Sequence, residues 1–142
     1  MRVFFDASII IAALLSPTGG SALLFQFIKT GTIVGVTSQT VIEELLEEDK
    51  PGKINKTKEE IEHFIAESRL VVREAITLKE IEPYHQMIDR EDAHLIAGAN
   101  LTKCTYLVSF DKKHVLAENV KNQFHPLKIV NPKELIAVLV EK

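Results

Sequence analysis

A chain of 142 residues is long enough to bury roughly two-thirds of its unfolded surface around one core, so a single domain is expected over 1–142. Its 46% hydrophobic and 26% charged residues place it with ordinary globular proteins and exclude a disordered or fibrous chain. Cys104 is the only cysteine, which excludes an internal disulfide and points to a reducing, cytoplasmic setting, and a net charge of -3 gives no overall basic footprint for a polyanion.

Along the chain, MRVFF and the apolar run at 9–15 have the outward form of a signal peptide. Asp6 interrupts that form, and the seven apolar residues after Ser8 are far too few to span a bilayer, so the segment reads as a buried strand and helix with no membrane role. Apolar, β-branched runs predict strands at 3–5, 32–36, 70–72, 106–109 and 127–130. Helix starts are predicted at Ser21, Ser38, Thr57 with Glu60, Thr77 with Glu80, Asp89 with Asp92, and Asn131 with Pro132 and Glu134. At each, a side-chain oxygen can accept from the orphan amides of a first turn. Gly31 reads as the stop of the helix begun near Ser21. Residues 50–56 form a basic, solvated connector. Short strands alternating with capped helices predict an α/β sandwich with a mainly parallel sheet of about five strands.

Asp6 and Asp111 each follow a predicted strand directly. The carboxyl ends of parallel strands share one edge of the sheet, where ligands bind in open α/β folds, so two carboxylates converge there. Asp6 also lies between Phe5 and the run at 9–11, where an unpaired charge is costly and a bound cation can compensate it. Taken alone, Asp111 reads equally as a helix N-cap, and Asp92 as an acid favoured by a helix dipole. In the helix after Ser38, Glu43 and Glu44 flank the apolar arc of Val41, Ile42, Leu45 and Leu46, and the helical wheel does not choose between them. His94 and His114 have no histidine partner at metal-ligand spacing and read as surface or packing residues, and Cys104 as a small core residue.

The segments FFDASIII (4–11), SQTVIEEL (38–45), EDAHLIAGA (91–99) and YLVSFD (106–111) resemble, in order and spacing, the acidic motifs of PIN-domain nucleases. LSPTGGSA (15–22) is similar to the VapC-like subgroup, toxin components of toxin–antitoxin pairs. The resemblance implies a three-layer α/β/α sandwich and a ribonuclease that leaves 5'-phosphate and 3'-hydroxyl ends. It assigns metal ligation and catalysis to Asp6, Glu44, Asp92 and Asp111, and a supporting role to Ser8 and Ser109. It further implies Mg2+ or Mn2+, hard ions suited to carboxylate oxygens, together with an RNA substrate, a small antitoxin protein and a homodimer. Relatives often carry one more acid after the last motif, where this chain has Lys112, Lys113 and His114.

Two rivals stand beside this reading. An aspartate-nucleophile phosphotransferase also places an aspartate after its first strand, but wants a second acid two residues later, where this chain has Ser8. A PIN-like interaction domain would keep the fold and the acidic pocket without catalysis. Neither a dinucleotide glycine fingerprint nor a P-loop lysine is present.

Overall fold

In the computed structural model, which describes residues 1–47, 53–84, 88–110, 124 and 126–141 and leaves the side chains of residues 90 and 91 aside, β1 (Arg2–Phe5) lies at the centre of the sheet. It pairs in parallel with β2 (Val34–Ser38) on one side and with β4 (Tyr106–Val108) on the other. β3 (Val71–Arg73) and β5 (Lys128–Val130) complete the order β3-β2-β1-β4-β5, all parallel. The chain works outward from β1 to β3, then returns to the far side of β1 for β4 and β5. The winding therefore reverses at the β1/β4 seam, where a crevice opens at the carboxyl ends of the strands.

Successive strand residues face opposite ways, and the fully buried Phe4 and Phe5 mark the two helical layers. Phe5 meets Phe25 of α2 (Gly20–Lys29) edge-on at 5.2 Å, and Phe25 meets Phe64 of α4 (Lys58–Glu67) at 5.1 Å. Phe4 faces the other layer, against α6 (Arg90–Leu101). A Cβ at Gly98 would stand only 2.7 Å from Phe4 Cζ, so the missing side chain lets α6 settle onto β1. Beyond these lie α1 (Ala7–Leu15), α3 (Gln39–Leu45), α5 (Leu78–Ile81) and α7 (Pro132–Val140). The apolar run of α1 sends Ile9, Ile10 and Ala13 into the core, and no single described helix is long and apolar enough to cross a membrane.

Local capping explains most helix starts. Ser38 accepts from the Val41 amide, and Thr57/Glu60, Thr77/Glu80 and Asn131/Glu134 form reciprocal capping boxes. Gly31, at φ 79°, ends α2 in the left-handed region, as expected. Several expectations shift, the third strand by one residue to Val71–Arg73 among them. The second strand begins at Val34, because the amides of Thr32 and Ile33 still bond the Phe27 carbonyl and the first ladder bond comes from Val34 to Met1. α2 starts from the extended Gly19, two residues earlier, which leaves Ser21 inside the helix with its hydroxyl buried and unpartnered among the described residues. Asp89 sits at the N-cap of α6 but makes no side-chain cap bond. β4 ends at Val108, although the Ser109 amide still reaches Val130 O at 3.0 Å. Residues 50–52 of the basic connector, and Asp111 to His114, lie outside the described residues.

Candidate functional site

Asp6 occupies the hinge between β1 and α1, where its own amide bonds Val108 O across the seam at 3.3 Å. Its carboxylate does not cap α1. Instead Oδ2 accepts from Ser109 Oγ at 2.6 Å and from Ser8 Oγ at 3.2 Å, and Ser8 Oγ in turn accepts from the Phe110 amide at 3.1 Å. Asp6 is only 8% exposed, and burial pushes its carboxyl above the usual carboxylate range. The Ser109 hydroxyl pulls it back down, the charge of Glu44 pushes it up again, and the Ala7 amide and Ser8 oppose the rise. Thr37 Oγ1, bonded to Phe5 O at 2.9 Å, ties β2 to β1 just beneath.

β2 runs straight into α3, so the helix carrying Glu44 leaves from the same sheet edge. Glu43 is exposed, whereas Glu44 is half-buried and turned into a cleft of about 800 Å³. Asp92, in the first turn of α6, lines that cleft, as do Asp6, Ser8, Glu47, Thr40 and Phe110. The far wall is Ile76, Leu78 and Ile81, held in place by the Ile76 amide on Thr40 Oγ1 (2.9 Å) and by Arg73, which grips Glu80 of α5 through two bonds of 2.9 and 2.6 Å.

The structure thus brings Asp6, Glu44 and Asp92 to one cleft with Ser8 and Ser109 around Asp6, while Asp111 lies outside the described residues. The donor chemistry suits a hard divalent cation: the oxygens are carboxylate, and the buried Asp6, repelled by Glu44, gains from neutralisation. Among the described residues, no three of His, Cys, Asp or Glu are gathered closely enough to form a metal-holding group.

His94 is a site residue that the sequence reading left among surface or packing positions. It is 4% exposed and lines the cleft, with Nε2 2.5 Å from Glu44 Oε1. Neither ring nitrogen has a hydrogen-bond partner of standard geometry among the described residues, so what joins His94 to Glu44 is the close approach of Nε2 to Oε1. One signal was available: His94 is the sole polar residue in the run AHLIAGA at 93–99, and a helix apolar on all sides is buried.

Residues 2–113 match the family model of the PIN domain. A search among curated protein sequences found no match. Among solved structures, the chain is similar to one in VapBC2 from Rickettsia felis bound to a promoter DNA fragment, with a TM-score of 0.61, 16% identity, and 92% of this chain and 98% of that chain covered. It is also similar to VapC20 of Mycobacterium tuberculosis, a toxin that cleaves the sarcin–ricin loop, with a TM-score of 0.54, 15% identity, and 82% and 95% covered. A chain of FitAB bound to the IR36 DNA fragment matches with a TM-score of 0.57, 14% identity, and 92% and 94% covered. At these identities the likeness is one of fold. The family match spans well over half of the sequence, and with the parallel five-stranded sheet between two helical layers it establishes that the chain belongs to the PIN-domain family.

Proposed function

We propose that this chain, as a single domain over 1–142, is a Mg2+- or Mn2+-dependent ribonuclease and the toxin of a toxin–antitoxin pair. The observation that carries the reading is the convergence of Asp6, Glu44 and Asp92 on one cleft at the β1/β4 seam, with Asp6 buried and under the repulsion of Glu44. Membership of the PIN-domain family supports it, as does the likeness in fold to VapC20, a toxin that cleaves the sarcin–ricin loop.

In this reading Asp6, Glu44, Asp92 and Asp111 hold the metal. The chemistry such an ion supplies is positive charge at the scissile phosphate and acidification of a water. Ser8 and Ser109 fix the orientation of the Asp6 carboxylate, and the repulsion between Asp6 and Glu44 keeps the cleft selective for cations until one is bound. The folds shared with VapBC2 and FitAB, both captured on DNA, support a small antitoxin protein as partner. Action as a homodimer in the cytoplasm belongs to the same reading. Sedimentation that gave a monomer across a wide concentration range would remove the homodimer.

The test is incubation of the purified protein with end-labelled single-stranded RNA and DNA of mixed sequence, with and without Mn2+, beside Asp6→Asn. Metal-dependent RNA cleavage that the variant loses is the expected result. Cleavage that Asp6→Asn retains in full would overturn the assignment of the site.

A further inference from the structure

Phe110 lines the acidic cleft and joins its carboxylate network through the backbone amide. The residue is 44% exposed, yet its backbone is held by hydrogen bonds. The Phe110 amide donates to Ser8 Oγ, and the same hydroxyl donates to Asp6 Oδ2; the preceding residue, Ser109, is bonded to that oxygen as well. A large aromatic ring is therefore presented to solvent from a backbone locked to Asp6. Leu78, 66% exposed, lines the same cleft with Ile11, Ile76 and Ile81.

The charge of the cleft limits what such a wall can hold. Its described lining includes four carboxylates, Asp6, Glu44, Glu47 and Asp92, and neither lysine nor arginine. Side chains of this sign repel phosphates, so by themselves, before a cation is bound, these residues do not grip a polyanion by its backbone. The uncharged part of a nucleotide is its base. An exposed aromatic ring binds a base by stacking, which tolerates any base identity but requires that the base be unpaired.

We propose that Phe110 is a stacking platform for one unpaired nucleobase of single-stranded RNA, set beside the carboxylates so that the adjoining phosphate enters the acidic cleft; this rests on the ribonuclease reading above. The platform selects single strands over duplexes and discriminates little among the four bases. It supplies the hold on the substrate that the carboxylates deny it.

The sequence contains no tryptophan, so Phe110→Trp introduces a unique fluorophore at the proposed platform. A short mixed-sequence oligoribonucleotide, mixed with this variant in Mn2+ and followed in the first moments by stopped flow, is expected to quench the emission. A duplex, and an abasic strand of the same length and charge, are expected to leave it unchanged. Phe110→Ala and Phe110→Leu are expected to weaken single-strand binding, read by fluorescence anisotropy, about five- to a hundredfold, the loss in kcat/KM appearing mainly in KM. Their thermal stabilisation by Mn2+ should match that of the original protein. Wild-type affinity in both variants, or equal quenching by the abasic strand, would overturn the platform while RNA cleavage by the unmodified protein left the ribonuclease reading standing. If the unmodified protein neither bound nor cleaved RNA, both would fall.

Discussion

Ser109 Oγ donates a 2.6 Å hydrogen bond to Asp6 Oδ2, joining residues 103 positions apart across the seam between β1 and β4. Burial raises the Asp6 carboxyl, and this hydroxyl is the largest influence holding it down. The folded protein therefore binds the Asp6 proton more tightly than the unfolded chain does. The resulting stability is fully present below the ordinary carboxylate range and is lost as pH rises through the raised folded value. Ser109→Ala removes the donor and pushes that value higher still. The expected loss is about 1–3 kcal/mol at neutral pH and little in acid, because the neutral carboxyl needs the donor less. Thermal melts in chelator across this pH range check the sign, and an equal loss at every pH would mean that Ser109 acts through packing alone.

Asp6→Asn separates the cost of the buried charge from its use. In chelator at neutral pH the variant is expected to equal or exceed the unmodified protein by about 1 kcal/mol, or about 3 °C in Tm for a chain of this length. Added Mn2+ at a hundredfold over its Kd should stabilise the unmodified protein by about 2.7 kcal/mol. The variant should gain far less. Equal Mn2+ shifts in the two proteins would refute Asp6 as a ligand.

Glu80 is the charged clasp of the cleft's apolar wall. The Arg73 guanidinium, first, and then the Thr77 amide and hydroxyl lower its carboxyl to about 2. The pair contributes stability above the ordinary glutamate range, and that contribution is lost as pH falls toward about 2. A carboxyl-carbon NMR titration should place the midpoint there. Glu80→Gln should lower Tm at neutral pH and lose its effect in strong acid, and added salt should shrink the difference, because the pair faces solvent. A Glu80 midpoint in the ordinary glutamate range would show that the clasp is not formed in solution.

Much of the fold could be read locally because its signals are local. Caps at Ser38, Thr57, Thr77 and Asn131 depend on residues three apart, and short β-branched runs between capped helices leave few alternatives to a parallel sheet. What escaped depends on contacts between distant segments. The start of β2 is set by the Phe27 carbonyl at the end of α2, which engages Thr32 and Ile33 before the ladder can begin. Glu43 and Glu44 are equivalent on a wheel, so periodicity does not choose between them; the motif resemblance points to Glu44, and in the structure α6, bringing His94, and the hinge after β1, bringing Asp6, set Glu44 apart. The exposure of Phe110 is equally hidden, since the predicted strand at 106–109 runs right up to it, whereas the strand ends at Val108.

His94 and Glu44 offer a direct measure of how firmly the site is held. Removing either partner leaves the other half of a close contact, with Nε2 and Oε1 2.5 Å apart, inside or at the edge of the core. Glu44→Gln weakens what His94 faces, and the imidazole is then buried without a charged partner, a cost of about 1–3 kcal/mol. His94→Gln costs a similar amount through lost packing and an unopposed Glu44. If the two residues act as a unit, the double variant should lose less than the sum of the singles, with a coupling of about 0.5–3 kcal/mol in chemical denaturation with chelator present. Additivity within about 0.3–0.5 kcal/mol would show that they are energetically independent. Coupling at the upper end would mean that α6 fixes the Glu44 carboxylate beside Asp6 before any cation arrives, which places the orientation of the site in the packing of the fold.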